Sequence, residues 1–330
     1  MISRRALLSQ LGLLAAVGGG AWWLRAHVLW PSPSPVFADG RSSGWLDFTS
    51  PEGGVPMIMV LVGGAPVRAL VDSGAQSSVI DRGLAQKLGL PTTTLAPVIV
   101  AFGLSGAPQL GRTARLDVGL GGLILKDLHA AVFDLAAVAD ASGRDFGLIL
   151  GQDVLKQVVA DLDFPAARLA FHNPRAYVPP EKARATPVRR SGGQLFAPVT
   201  VETTQFEAVI DTGASAVLAL SAETARTAGL LSGRRIGTAP SVTFGGLSQD
   251  QVVLVDAVAF AGETYRNVPV HIYAPDRNIP LPSGLIGVEA FERFRTILDV
   301  GRGRLHLVPA GPEVSPRGPV VRLSPLRALR

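Results

Sequence analysis

The stretch RALVDSGAQSSVI at residues 68–80 places an acid directly after an apolar, strand-like run. Its Asp72 is followed by a hydroxyl residue, a glycine and a small apolar residue. Asp, Ser and Gly are common turn residues, so a single copy is compatible with an ordinary turn as well as with a catalytic carboxylate. The rest of the chain decides between these two interpretations.

The same pattern recurs at residues 207–219 as EAVIDTGASAVLA, with Asp211 in the position of Asp72. No other Asp in the chain is followed by Ser or Thr and then by Gly. Upstream of the two acids, MIMVLVGGAPVRALVD and LFAPVTVETTQFEAVID both predict a strand, a tight turn and a second strand. Self-similarity on this scale indicates a duplicated structural unit.

A second matched pair lies downstream, where LILGQD and LIGVEA each place two apolar residues before a glycine. Aligning Gly151 with Gly287 also aligns an acid and an arginine of the two halves, namely Asp163 with Asp299 and Arg168 with Arg304. We expect these acids to follow a helix, to precede a strand and to pair with those arginines. They are interpreted as structural turn residues without a catalytic role.

A third matched pair lies between these anchors, as VAFGLSGAPQLG at 100–111 and VTFGGLSQDQ at 242–251. Both have a Phe-Gly strand end and a glycine-rich tip, which suits a mobile hairpin over a cleft. The candidate flap residues are Phe102, Gly103, Phe244 and Gly245. Whether one hairpin or both act as flaps is left open.

The fold predicted from these repeats is mainly β, with two lobes related by a pseudo-two-fold axis. Each lobe is a closed, β-barrel-like unit with short helices, and the active-site cleft lies between the lobes. The predicted segments are an export signal or membrane anchor (1–30), a linker (31–45), an N-terminal lobe (46–173), an interlobe linker (174–193), a C-terminal lobe (194–310) and a tail (311–330).

Two such acid turns, placed face to face, bring Asp72 and Asp211 close enough to share one water. Two neighbouring carboxylates do not both ionise easily, so the pair tends to hold one proton. One carboxylate can then deprotonate the water while the other, protonated, polarises a substrate carbonyl. Gly74 and Gly213 allow tight turns and a close approach of the two backbones.

The motifs VDSGA and IDTGA, with LILG and GLIG downstream, resemble those of aspartic proteases of the pepsin and retropepsin type. The short units and the Asp-Ser/Thr-Gly-Ala form look more like retropepsin. Two units in one chain look like the single-chain, two-lobed form. The resemblance covers about residues 46–310, and it implies an extended peptide or protein substrate, no cofactor and no metal.

The resemblance also implies a role for each matched residue. It implies Asp72 and Asp211 as the catalytic pair, and Ser73 and Thr212 as an interlocked grip between the turns. The remaining supporting residues of the turns are Gly74, Ala75, Gly213 and Ala214, and the motifs beneath the loops are Ile149, Leu150 and Gly151 with Leu285, Ile286 and Gly287. The first candidate flap lacks the Tyr of pepsin-like enzymes, and Phe102 is its nearest aromatic residue.

The composition excludes several other classes of function. The chain has 330 residues, 47% of them hydrophobic and 17% charged, so it can bury a substantial core. It has no Cys, which excludes disulfides, thiol catalysis and Cys-ligated metal sites. The net charge of +5 comes mainly from scattered Arg residues without interleaved aromatics, so we expect no nucleic-acid partner. The five His residues are dispersed, and no H-E-x-x-H or G-x-S-x-G motif is present.

The N-terminus reads MISRRALLSQLGLLAAVGGG and resembles a twin-arginine export motif. The apolar run at residues 6–24 is also near the length that spans a bilayer. Positive charge before it predicts an extracytoplasmic location, either periplasmic or secreted, for the rest of the chain. Cleavage after Ala38 and anchoring in the inner membrane both remain open, and a buried N-terminal helix fits the following PSPSP poorly.

The predicted function is that of an exported bacterial aspartic endopeptidase that works as a monomer, since its two lobes form an internal pseudo-dimer. The alternative is a non-catalytic peptide-binding module of the cell envelope on the same scaffold. The two are discriminated by turnover, because a binding module would retain a peptide without cutting it.

Overall fold

The structure, a computed structural model, describes residues 32–49, 54–93, 99–101, 109–135, 145–243, 246–273 and 282–309. The predicted export segment, the tail and the four candidate flap residues Phe102, Gly103, Phe244 and Gly245 lie outside these ranges. Helices within the described ranges are all too short to cross a lipid bilayer.

The chain is built mainly from strands. Those of the first half are β1 (Ser34–Phe37), β2 (Leu46–Thr49), β3 (Met57–Val62), β4 (Ala65–Val71), β5 (Val79–Asp81), β6 (Thr92–Thr93), β7 (Ile99–Ala101), β8 (Gln109–Leu120), β9 (Leu123–Phe133), β10 (Leu148–Leu150), β11 (Val159–Asp163) and β12 (Arg168–His172). Those of the second half are β13 (Arg184–Thr186), β14 (Arg189–Ser191), β15 (Gln194–Val201), β16 (Thr204–Ile210), β17 (Leu218–Ser221), β18 (Ile236–Thr243), β19 (Gly246–Phe260), β20 (Glu263–Tyr273), β21 (Gly284–Ile286), β22 (Phe294–Asp299) and β23 (Arg304–Pro309).

Short helices follow the strands at matched places in the two halves. They are α1 (Arg82–Lys87), α2 (Gln152–Leu155), α3 (Ala222–Thr227) and a 3-10 turn (Val288–Ala290). The side chain of Asp81 accepts a hydrogen bond from the Leu84 N–H at the start of α1, and Ser221 caps α3 in the same way. Such caps satisfy backbone donors that the first helical turn leaves unpaired.

Each half closes into a six-stranded barrel, which confirms the predicted mainly β, two-lobed fold. In the first lobe the order is β3-β4-β10-β5-β9-β8, and β8 pairs back with β3. In the second lobe the order is β15-β16-β21-β17-β20-β19, and β19 pairs back with β15. Closure leaves no free edge along the paired part of each barrel.

The pattern of side chains explains why these strands close around a core. In β15 the residues alternate between half-exposed and buried, with Leu195, Ala197, Val199 and Val201 facing inward. Strands β10 and β21 are buried on both faces and read as continuous apolar runs. Strands β10 and β21 are therefore barrel strands that are covered on both faces, and they lie directly beside the strands that lead into the acid turns.

An extension of the first barrel's sheet, which continues from β3 through β2, joins the lobes. Its order is β13-β23-β22-β11-β12-β2, and its centre is the antiparallel pair of β11 from the first lobe with β22 from the second. The two segments predicted as linkers contribute strands. Residues 31–45 contain β1, and residues 174–193 contain β13 and β14.

The acids that end the two central strands differ from the expectation in one respect. Asp163 and Asp299 close strands β11 and β22, each after a short helix and before the next strand, as expected. Asp163 pairs with Arg168 at 3.1 Å as expected, but Asp299 pairs with Arg302 at 3.4 Å and not with Arg304. Arg302 lies in the turn three residues after Asp299, which brings its guanidinium within reach.

A buried ion pair crosses the joining sheet. The fully buried Asp161 of β11 accepts hydrogen bonds of 2.7 and 2.6 Å from Arg295 of β22 and one of 3.0 Å from the Tyr177 hydroxyl. Burial alone would raise the pKa of Asp161, but hydrogen bonds, foremost from Arg295, hold that pKa below its ordinary value. Arg295 also stacks on the ring of Trp45, at 5.1 Å from its centroid.

We expect Arg295→Met to lower the free energy of unfolding by about 3–5 kcal/mol, because it leaves the Asp161 carboxylate buried without its cation. The matched control is Arg115→Met, which removes the exposed pair with Asp127 and should cost less than about 1 kcal/mol. Urea titrations followed by Trp fluorescence measure both values. Equal losses in the two variants would contradict this assignment.

Candidate active site

The first acid turn follows directly from β4. The Asp72 N–H donates to the Leu150 carbonyl at 3.0 Å, which places the turn beside β10. The Asp72 Oδ1 accepts hydrogen bonds from the N–H groups of Gly74 at 2.8 Å and Ala75 at 3.0 Å. These bonds fix the plane of the carboxylate and leave its Oδ2 directed away from the turn.

The second acid turn is built in the same way at the end of β16. The Asp211 N–H donates to the Ile286 carbonyl at 2.9 Å, and the Asp211 Oδ1 accepts from the Gly213 N–H at 2.9 Å. Asp211 therefore lies at the end of β16 and beside β21, just as Asp72 lies at the end of β4 and beside β10. The duplication seen in the sequence is thus a duplication of backbone geometry.

Four hydrogen bonds interlock the two turns. The Ser73 N–H donates to the Thr212 Oγ1 at 2.9 Å, and the Thr212 N–H donates to the Ser73 Oγ at 3.0 Å, across 139 residues of chain. Each hydroxyl in turn donates to a backbone carbonyl of the other lobe, Ser73 to Ile210 and Thr212 to Val71, both at 2.8 Å. Ser73 and Thr212 are buried, so water does not compete for these bonds.

Glycine is required next to each acid. A Cβ on Gly74 would lie 2.5 Å from the Asp211 carboxylate, and a Cβ on Gly213 would lie 2.6 Å from the Cγ of Asp72. Each carboxylate therefore lies against the backbone of the opposite turn. This contact shows that the structure brings Asp72 and Asp211 together at the junction of the lobes.

The apolar-apolar-Gly motifs lie against the acid turns. Strand β10 runs parallel to β4 and β21 runs parallel to β16, each in a buried position. A Cβ on Gly151 would lie 2.5 Å from the carbonyl carbon of Ser77, and one on Gly287 would lie 2.2 Å from the Ala216 oxygen. Only glycine lets these strands pass so close behind the loops that carry the acids.

The sequence analysis missed a carboxylate that supports each loop from behind. Asp153 accepts from the Ser78 N–H at 2.9 and 3.0 Å and from its hydroxyl at 2.9 Å, while Glu289 accepts from the Val217 N–H at 3.2 Å. Both acids stand two residues after the glycine of their motif. This shared spacing is present in the sequence, as GQD at 151–153 and GVE at 287–289, and it could have indicated the two supporting acids.

Burial is the main cause that raises the pKa values of both acids. Neither Asp72 nor Asp211 is exposed to solvent. Burial, and next the charge of Asp211, raise the pKa of Asp72 well above its ordinary value. Burial raises the pKa of Asp211 to about 6, while the Gly213 N–H and a hydrogen bond with Asp72 act in the opposite direction.

A single proton shared by Asp72 and Asp211 would supply the hydrogen bond that their Oδ2 atoms lack. With both acids ionised, the Oδ2 atoms of Asp72 and Asp211 have no hydrogen-bond donor in the described part of the chain. A proton between the two carboxyls supplies one donor and removes one of two buried charges. The pair therefore presents one acid and one base at the same place, which is the condition for general acid–base chemistry.

The stems of both candidate flaps are antiparallel hairpins. In the first lobe β7 pairs with β8, and in the second lobe β18 pairs with β19 up to Thr243 and Gly246. The stem in the second lobe carries a buried acid, Asp250, that the sequence analysis did not single out. Burial raises the pKa of Asp250 to about 6, although a hydrogen bond with Ser241 opposes the shift.

Each half of the chain matches a protein-family model. A model for aspartyl proteases matches residues 58–154, and a model for gag-polyprotein putative aspartyl proteases matches residues 197–293. The matched ranges include the acid turn and the apolar-apolar-Gly motif of each lobe. The chain therefore carries two domains of the aspartyl protease type in tandem.

Among curated proteins, the chain is similar to DNA damage-inducible protein 1 of two fungi. It is 31% identical to that of Phaeosphaeria nodorum over 115 residues, covering 34% of this chain and 24% of the relative. It is 32% identical to that of Cryptococcus neoformans over 158 residues, covering 44% of this chain and 34% of the relative. The chain thus spans only a quarter to a third of the length of these relatives.

Among solved structures, the chain is similar to a retropepsin-like aspartic protease from Rickettsia conorii. The two are 23% identical, with a TM-score of 0.31. The match covers 38% of this chain and 90% of the other.

We expect Gly74→Ala or Gly213→Ala to separate the two turns, because either methyl group would overlap the opposite carboxylate. Overlap of this kind costs about 1–3 kcal/mol or more. The control is Gly237→Ala, where the nearest atom to a new Cβ is the Val252 oxygen at 3.7 Å. Thermal unfolding measures the difference, and an unchanged midpoint in both turn variants would contradict the close contact.

We expect Asp250→Asn to flatten the dependence of stability on pH. The unfolded chain releases this proton near 3.8 and the folded protein only near 6, so the stability that the group contributes is present below about 3.8 and lost as pH rises through about 6. The melting temperature of the variant should therefore fall less between pH 4 and pH 7 than that of the unaltered protein. The exposed Asp47→Asn serves as control and should leave the slope unchanged.

Proposed function

We propose that this protein is an aspartic endopeptidase, which hydrolyses peptide bonds with a water activated by Asp72 and Asp211. The observation that carries the proposal is the meeting of two buried carboxyls, one from each lobe, across the interlocked turns. Each is fixed through its Oδ1 by its own turn, and each has an Oδ2 without a donor in the described residues. The two aspartyl protease matches support the same reaction class.

The reaction follows from one proton on the pair. The ionised carboxyl takes a proton from the water as the water oxygen bonds to the peptide carbonyl carbon, and the protonated carboxyl donates its proton to the carbonyl oxygen. The tetrahedral intermediate then collapses. The C–N bond breaks as the amine nitrogen takes the proton that the first carboxyl removed from water, while the other carboxylate takes a proton from a hydroxyl of the intermediate, so the C=O bond re-forms and the pair again holds one proton. No covalent bond to the enzyme forms.

The proposed substrate is an extended peptide or an extended segment of a protein. The acid pair lies where the two barrels meet, each barrel carries an antiparallel hairpin, and an extended peptide can pair with such strands through its backbone. Since neither carboxyl is exposed to solvent in this structure, the cleft must open to admit the peptide. Exclusion of water after closure would strengthen the interactions of the pair with the carbonyl.

We further propose that the protein acts outside the cytoplasm as a monomer. The support for the location is the sequence of residues 1–30 alone, with its twin arginines and the apolar run at 6–24. Fractionation of cells that make the full chain tests this, with a variant in which Arg4 and Arg5 are Lys as the comparison. Cytoplasmic recovery of the unaltered protein would contradict the location without bearing on the chemistry.

We expect Asp72→Asn and Asp211→Asn each to lower the rate of peptide cleavage by about 100- to 10,000-fold, because each removes one partner of the acid–base pair. Thermal unfolding should show both variants folded, since the asparagine amide retains an oxygen for the turn. Asp47→Asn is the control and should cut at the original rate. Saturable binding of peptides without cleavage by the unaltered protein would favour the peptide-binding module instead.

The rate of peptide cleavage should depend on pH, because the reaction needs one proton on the pair of carboxyls. It should fall at acidic pH, where both carboxyls are protonated and no base remains, and again at alkaline pH, where the last proton leaves. Because burial raises both pKa values, the alkaline limb should lie well above the ordinary range of a carboxyl. A rate that stays constant from pH 4 to pH 9 would contradict the mechanism.

A further inference from the structure

The two barrels differ at one edge, where the first lobe carries an additional strand. Strand β1 pairs antiparallel with the start of β9, in the register Ser34↔Lys126, Pro35↔Leu125, Val36↔Ile124 and Phe37↔Leu123. The same edge of β9 pairs with β5 further along, at Ala131–Phe133. Strands β1 and β5 thus cover one edge of β9 between them, while β8 covers the other.

The second lobe has the same edge without the additional strand. Strand β20 corresponds to β9, since each follows a two-residue turn and each has a residue in the left-handed region four positions after its start. These residues are Asp127 with φ 57° and Asn267 with φ 53°. The far end of β20 pairs with β17, as β9 pairs with β5, but within the described ranges nothing pairs with this edge at Glu263–Arg266.

A groove of about 450 Å³ runs along this edge. It is lined by Val217, Glu263–Pro269, Arg293 and Phe294. The effect of the missing strand is visible at Tyr265, which is only partly buried, whereas Leu125 at the equivalent place beside β1 is fully buried. An unpaired strand edge exposes backbone donors and acceptors that favour the addition of another strand.

The chain itself supplies a segment with the required pattern next to the groove. Strand β23 ends at Pro309, whose register partner Phe294 lines the groove. Residues 310–330 lie outside the described ranges, and they contain GPVV at 318–321, which matches SPVF at 34–37 in having a small residue, a proline and two apolar residues. The eight residues between Pro309 and this segment can span up to about 26 Å.

We propose that residues 318–321 add to β20 as an antiparallel strand, in the place that β1 takes on β9. The register equivalent to that of β1 pairs Gly318 with Arg266, Pro319 with Tyr265, Val320 with Thr264 and Val321 with Glu263. Val321 then packs inward, as Phe37 does against the core of the first lobe. The inference concerns the second lobe alone and does not depend on catalysis by the acid pair.

The absence of cysteine from the chain allows a direct test by disulfide formation in the full-length protein. In the variant Thr264→Cys/Val320→Cys the proposed register brings the two Cα atoms within the roughly 4.4–6.8 Å that a disulfide needs. Val36→Cys/Ile124→Cys is the positive control, because those residues are register partners in the first lobe. Thr264→Cys/Leu326→Cys is the control for chance encounters of the tail.

We expect the first variant to form an intramolecular disulfide at least tenfold faster than the chance control, at a rate near that of the positive control. Mild oxidation with glutathione, followed by non-reducing electrophoresis and peptide mapping, measures this. A rate equal to that of the chance control overturns the proposal. A disulfide that forms only between two chains also overturns it, because the edge then receives a second copy.

Hydrogen exchange provides a second measurement that needs no cysteine. Among residues 263–266, the backbone amides that point away from β19 should exchange slowly in the full chain and at least tenfold faster in Val321→Pro, since proline at this position disrupts the added strand. The amides of Leu123–Lys126 in the first lobe serve as an internal standard and should be unchanged. Equal exchange at residues 263–266 in the two proteins overturns the proposal.

Discussion

The reciprocal hydrogen bonds of Ser73 and Thr212 are the constraint on which the rest of the molecule depends. Each hydroxyl accepts from the opposite backbone N–H and donates to the carbonyl of the strand that leads into the opposite acid. The two acids are thereby held in one relative position. The adjoining glycines, the parallel strands behind the loops and the closed barrels all serve to bring these two turns into register.

Joining two units in one chain allows their acid turns to differ. The hydroxyl residue after the acid is a serine, Ser73, in the first turn and a threonine, Thr212, in the second. The support behind the loops differs as well, since the first lobe uses a short carboxylate, Asp153, and the second a longer one, Glu289. Two identical subunits could not provide these unequal surroundings without breaking their symmetry. A shared proton is more easily held on one particular side when the sides are unequal.

Much of the fold followed from local patterns that occur twice. The repeated acid turn, the hairpin before it and the apolar-apolar-Gly motif after it predict a mainly β, two-lobed molecule, and the two closed barrels confirm this. Features that depend on residues far away in the sequence could not be predicted from local patterns. Strands β1, β13 and β14 lie in segments that read as linkers, because only their partner strands give them extended structure. The role of Asp153 depends on Ser78, 75 residues earlier in the chain. The catalytic roles of Asp72 and Asp211 and the flap assignment stay predictions.

The span of 139 residues between Ser73 and Thr212 has a consequence for how the protein is made. Domains generally fold as they leave the ribosome, the N-terminal one first. For the time that the ribosome needs to reach the second acid turn, the finished first lobe has half of a two-carboxyl centre and none of its cross-lobe bonds. A nascent chain in this condition lacks the complete pair of carboxyls. The order of synthesis alone thus delays the assembly of the complete centre until the chain is nearly whole.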